Sequence, residues 1–89
     1  MYQVLYKELY MRLDKYLKVS RLIKRRTVAN EACDAGKVMV NDKPARASYD
    51  VNPGDIIAIT LGARTVKVRV TEVKETVRKE DAASLYEAV

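Results

Sequence analysis

Between positions 12 and 27 the chain reads RLDKYLKVSRLIKRRT, seven lysines or arginines against a single acid, Asp14. Residues of those types at that density suit one chemistry. A guanidinium presents a planar fork of N–H donors that matches two phosphate oxygens at once, and an ammonium adds a mobile point charge. The candidate anion-binding residues are Arg12, Lys15, Lys18, Arg21, Lys24, Arg25 and Arg26, followed by the hydroxyl of Thr27. They cannot all face one ligand, so about half of the five residues Lys15, Lys18, Arg21, Lys24 and Arg25 are expected to touch it beside Arg12, Arg26 and Thr27. Asp14 cannot favour phosphate by its charge and reads as a partner that orients a nearby arginine.

Other chemistries lack their residues. There is no histidine, no glycine-rich phosphate loop and no pair of carboxylates at a recognisable catalytic spacing, so no catalytic residue, metal site or cofactor is expected and the chain does not read as an enzyme. The one cysteine, Cys33, has no second thiol or imidazole to work with and reads as a core filler.

The charge is unevenly spread. Residues 11–46 hold ten Lys or Arg against four acids, a net of +6, whereas residues 47–89 net −1 and residues 1–10 net zero. An excess confined to one contiguous third of a chain is the footprint expected for a polyanion partner. The bland alternative is a solvated helix face.

The elements that must position these residues follow from the apolar spacing. An 89-residue chain supports one domain with a small core. Leu13 and Leu17, four apart, predict a short helix over 12–19. Leu22 and Ile23 supply an apolar anchor, and Ala29, Ala32 and Cys33 predict a second helix from about Arg26 to Ala35, ended by Gly36. The period then changes to two. KVMVN alternates, NDKP and VNPGD read as turns, and GAR leads into TVKVRVTEV, where Val66, Val68 and Val70 face inward and Lys67 and Arg69 outward. Asp55 reads as the brace of a turn. The fold class is therefore α+β, two short helices packed on a small, largely antiparallel sheet. No apolar run approaches a membrane span, the N-terminus does not read as a secretion signal, and a lone cysteine fits a reducing cytoplasm.

Three ordered blocks, RLDKYL, RRTVANEACDAGKVMVNDKPA and VNPGDII, together resemble the S-four RNA-binding domain. The resemblance spans residues 11 to about 62, and the remainder looks like the small stand-alone members of the heat-shock-protein-fifteen and RqcP types. It implies an S-four-like (αL) fold over 11–75, with residues 1–10 an N-terminal extension and 76–89 a C-terminal tail that can be helical. It also implies a cytoplasmic RNA-binding protein of bacterial ribosome quality control. The expected partners are rRNA of the large ribosomal subunit, peptidyl-tRNA and a nascent-chain tailing factor of the RqcH type, with no membrane and a monomer off the ribosome. Within the resemblance, Arg12, Arg26 and Thr27 match the positions on the RNA-facing surface.

Three departures stand out. VNDK takes the place of Val-Asn-Gly, so the turn is expected to differ. Cys33 takes the place of a larger aliphatic residue, which predicts a thinner core. Ten residues precede Met11, with Tyr2, Tyr6 and Tyr10 four apart, as in an extension of the first helix. The competing readings are another stand-alone RNA-binding protein of the heat-shock type, a helix-turn-helix DNA binder and a basic module for acidic proteins or membrane surfaces. Glu31 and Asp34 on the second helix oppose the DNA reading, because acids on a recognition helix would face phosphate. The membrane reading lacks the apolar face that an interfacial helix needs.

Overall fold

The computed structural model describes residues 11–74 and 78–89. Tyr2, Tyr6 and Tyr10, and the helical extension expected there, lie outside the described residues. Two α-helices, α1 (Leu13–Val19) and α2 (Arg26–Asp34), precede a sheet of β1 (Val38–Val40), β2 (Lys43–Pro44), β3 (Ile56–Leu61), β4 (Arg64–Val70) and β5 (Tyr86–Ala88), and a 3-10 helix covers Lys79–Leu85. The sheet order is β2-β1-β3-β4-β5, antiparallel throughout.

Helix α1 forms because Leu13, Tyr16 and Leu17 fall on one face at helical spacing, and all three are fully buried. Its first residues have no side-chain cap. Instead the Leu13 N–H donates to the Tyr49 carbonyl (2.8 Å) and the Asp14 N–H to the Ala47 carbonyl (3.1 Å). The loop of residues 45–50 thus satisfies amides that a helix leaves orphaned. The Val51 N–H to Met11 carbonyl bond (2.8 Å) and a bridge between Arg12 and Asp50 complete the seam.

Helix α2 buries Ala29 and Cys33 against α1. It ends as its glycine predicts. Gly36 has φ 76°, its N–H donates to the Cys33 carbonyl (3.0 Å), and the Lys37 N–H donates to the Ala32 carbonyl (2.9 Å). This pair of bonds is a Schellman motif, which a residue without Cβ forms at least cost. Burial pushes the Cys33 thiol up to about 11, helped by the charges of Asp14 and Asp34, so it stays protonated at neutral pH. That suits a core residue.

In the sheet Val68 and Val70 are buried, Val66 packs against the core, and Lys67 and Arg69 are exposed, as the alternation predicts. Val40 pairs with Lys43, which leaves Asn41 and Asp42 as a two-residue turn with φ of 52° and 69°. Both angles are left-handed, the requirement of a hairpin turn whose twist matches its strands. Asp therefore takes a position that would suit Gly, and the turn stays tight. Its neighbour is braced by Asp55, which accepts from Asn41 Nδ2 (3.1 Å), the Tyr49 hydroxyl (2.9 Å) and the Asn52 N–H (2.9 Å).

The C-terminal segment is not an α-helix. Residues 79–85 form the 3-10 helix, and residues 86–88 add β5 to β4, with Arg69 opposite Glu87 and their side chains paired at 2.8 Å. Leu85 is fully buried, and its carbonyl accepts from the Tyr16 hydroxyl at 2.7 Å. Burial, reinforced by Tyr86, pushes that hydroxyl well above its ordinary range, which keeps it a neutral donor. The segment closes the core under α1.

Candidate nucleic-acid interface

The charged residues of α1 and α2 meet at one buried carboxylate. Asp14 lies in the first turn of α1 with its side chain 3% exposed, whereas the side chains of Arg12 and Arg26 are 48% and 47% exposed. Arg12 donates from Nε to Oδ1 and from Nη2 to Oδ2 of Asp14, both at 3.2 Å. Arg26, the first residue of α2, brings its Nε to 3.4 Å from Oδ1, an ion pair longer than a good hydrogen bond. Asn30, one turn further along α2, donates from Nδ2 to Oδ2 at 3.2 Å, and the Lys15 N–H donates to Oδ1 at 2.7 Å.

The electrostatics of this cluster are competitive. Burial alone would raise the pKa of the Asp14 carboxyl, but hydrogen bonds from Arg12 and Asn30 and the charge of Arg26 outweigh it and hold the group below its ordinary value. The carboxylate is therefore ionised at neutral pH. One negative charge against two positive charges leaves the cluster with an excess of +1, carried on the half-exposed arginines.

Geometry decides which edges those arginines show. A guanidinium has five N–H donors. Arg12 commits its Nε–H and one Nη2–H to Asp14, so the remaining donors include a pair on the far edge. Arg26 also turns its Nε toward Asp14. Arg12 thus keeps Nη1 and the second Nη2–H uncommitted to the carboxylate, and Arg26 meets it through Nε with its side chain 47% exposed. Shallow grooves flank the cluster. One is lined in part by Arg12, Asn30, Asp34, Arg46 and Ser48, the other by Asp14, Arg26, Thr27, Asn30 and Glu31.

The other sequence-derived candidates lie around this centre. Lys18 is exposed one turn along α1 from Asp14, and Lys15 is half-buried. Arg21, Lys24 and Arg25 are exposed in the connection between the helices, and Arg21 holds φ 64° directly after α1. Thr27 is exposed in the first turn of α2, where no acidic residue opposes an anion. Arg12, Arg26 and Thr27 are brought to the two grooves, whereas Arg21, Lys24 and Arg25 belong to the connecting loop.

Two residues were not singled out from the sequence. Arg46 is exposed on the loop that caps α1 and lines the same groove as Arg12, a proximity created by a seam between segments over thirty residues apart. Asn30 was legible in principle, since it follows Arg26 by four residues and shares its helix face. The turn network around Asp55 is bonded within itself and offers no outward charge of its own.

Comparisons with known proteins identify the family and the fold. The S4 domain family model matches residues 11–57, which include α1, α2 and the cluster. The chain is 54% identical over 76 residues to the RQC P-site tRNA stabilizing factor of Bacillus subtilis, covering 85% of this chain and 88% of that protein. It is 57% identical to the protein of the same name from Halalkalibacterium halodurans, covering 86% and 88% respectively. Among solved structures, the trimeric Heat Shock Protein 15 of Vibrio cholerae superposes with a TM-score of 0.84 at 28% identity, covering 90% of this chain and 82% of that one.

Proposed function

The chain belongs to the S4 domain family, and from that premise we propose that it is an RNA-binding protein of bacterial ribosome quality control. It binds rRNA and peptidyl-tRNA on an obstructed large ribosomal subunit, and in doing so supports C-terminal tailing of the stalled chain by a factor of the RqcH type. The observation that carries RNA binding is the pairing of Arg12 and Arg26 on buried Asp14, which holds two half-exposed guanidinium groups together in the strongly basic third of the chain. The ribosomal setting is supported by relatives at 54% and 57% identity whose names specify P-site tRNA.

In this reading the protein is a clamp and not an enzyme. Arg12, Arg26, Thr27, Lys18 and the basic connection engage phosphate oxygens, and the sheet holds the helices rigidly. It acts in the cytoplasm, as a monomer off the ribosome. No helix among the described residues is long and apolar enough to cross a membrane.

Cosedimentation tests the reading. At equal salt, the chain should pellet with large subunits carrying peptidyl-tRNA in preference to empty subunits, and should bind duplex DNA and anionic vesicles only weakly. Equal or tighter binding to duplex DNA or vesicles overturns it.

A further inference from the structure

We propose that Asp14, an acid at the centre of a surface that binds a polyanion, is a positioning residue for RNA: its buried carboxylate holds the Nε edges of Arg12 and Arg26 and so presents their Nη edges to phosphate. This rests on the RNA-binding reading above. A simple count of charge gives the opposite expectation, because removing an acid makes the surface more positive and should tighten binding.

The geometry weighs against that count. Asp14 is almost wholly buried, and although it forms part of the wall of the groove beside Arg26 and Thr27, its two oxygens are taken up by Arg12 and Arg26. Arg12 is held at both carboxylate oxygens, and Arg26 approaches the same Oδ1 that Arg12 Nε uses. Both side chains have several rotatable bonds, and without a common anchor each would have to be immobilised at the moment of binding. Asn30 keeps Oδ2 in place from the neighbouring helix and lines both grooves. The carboxylate therefore couples the residue that precedes α1 with the first residue of α2, fourteen positions apart, into one phosphate-binding unit.

The test uses the full chain and large subunits carrying peptidyl-tRNA, with affinity measured by cosedimentation over a series of salt concentrations. Asp14→Asn should weaken binding about tenfold or more despite raising the net charge by one, and should make the salt dependence shallower by roughly one phosphate contact or more, about 0.7 in the log–log slope for each. Asn30→Ala, which leaves every charge in place, should weaken binding a fewfold. In an Arg12→Ala/Arg26→Ala background neither substitution should have a further effect beyond about twofold, a result that a general loss of structure would not produce. Melting curves accompany each variant, and should Asp14→Asn fail to fold, Asn30→Ala decides the matter in its place. Unchanged or tighter binding by a folded Asp14→Asn chain, or an unchanged Asn30→Ala chain, overturns the positioning role and leaves the RNA-binding reading standing. A wild-type chain that does not bind the subunits overturns both.

Discussion

Arg12 and Arg26 each serve two partners, a buried carboxylate on one edge and, in the proposed function, a phosphate on the other. Replacing either by alanine should weaken binding to large subunits roughly ten- to 100-fold, the range for loss of one charge-assisted hydrogen bond. Arg26→Lys should recover only part of that loss, since an ammonium lacks a second edge with which to satisfy Asp14 and phosphate together. Cosedimentation compared with melting curves checks both, and the curves matter because each arginine also supports buried Asp14. The same carboxylate gives a pH dependence. Its folded pKa lies below the ordinary 3.8. Its contribution to stability is therefore complete above that ordinary value and disappears as pH falls through the lower folded one. Melting temperatures of wild type and Asp14→Asn, followed from about pH 5 to pH 2, should converge at the acid end.

Helices and strands here carry constraints that their own sequences reveal unevenly. Helix α1 ends with Arg21 in the left-handed region, at the position where glycine is favoured. An arginine there costs about 1–2 kcal/mol of backbone strain, while glycine would release the strain and add unfolded-state entropy of about 0.4–1 kcal/mol. Arg21→Gly should leave the melting temperature equal or higher, yet reduce affinity for subunits if that guanidinium meets RNA. In β4 the alternation gives a paired test. Val68→Asp places an unpaired carboxylate opposite Ile57, inside the core, and should remove several kcal/mol of stability. Lys67→Ala, on the exposed face opposite Ala58, should change it by less than about 0.5 kcal/mol. Denaturant unfolding distinguishes the two, and equal midpoints would mean that the faces of the strand are reversed.

Taken together, residues 11–46 carry a net charge of +6, with Arg12 and the connection between the helices its densest part, while residues 47–89 net −1. Binding of such a surface to RNA displaces condensed counterions, so its affinity must fall with salt. If about five phosphates are neutralised at a slope near −0.7 each, a fourfold rise in salt should weaken binding roughly 100-fold. Titration against large subunits at graded potassium concentrations measures this directly. A flat response would mean that the charge in residues 12–27 is a solvated face.

Periodicity was sufficient for the two helices, the inward valines of β4 and the stop at Gly36, because those features depend on residues within a turn or two of each other. The family blocks carried the likeness to an RNA-binding domain, and the concentration of lysine and arginine carried the class of partner. The C-terminal segment was legible only as a tail that can be helical, not in its kind of helix or its strand. Its 3-10 helix is too short for a period, and β5 exists because β4 offers an edge and Leu85 finds a place beneath Tyr16. Nor could local spacing reveal that Arg46 shares a groove with Arg12, since that follows from amides of α1 bonding to a loop far along the chain. Asp14 shows both sides of the division. As the one acid in a basic run it announced itself as an arginine's partner. That it would hold two arginines and an asparagine from both helices depended on α1 and α2 packing closely enough to exclude water from its carboxylate.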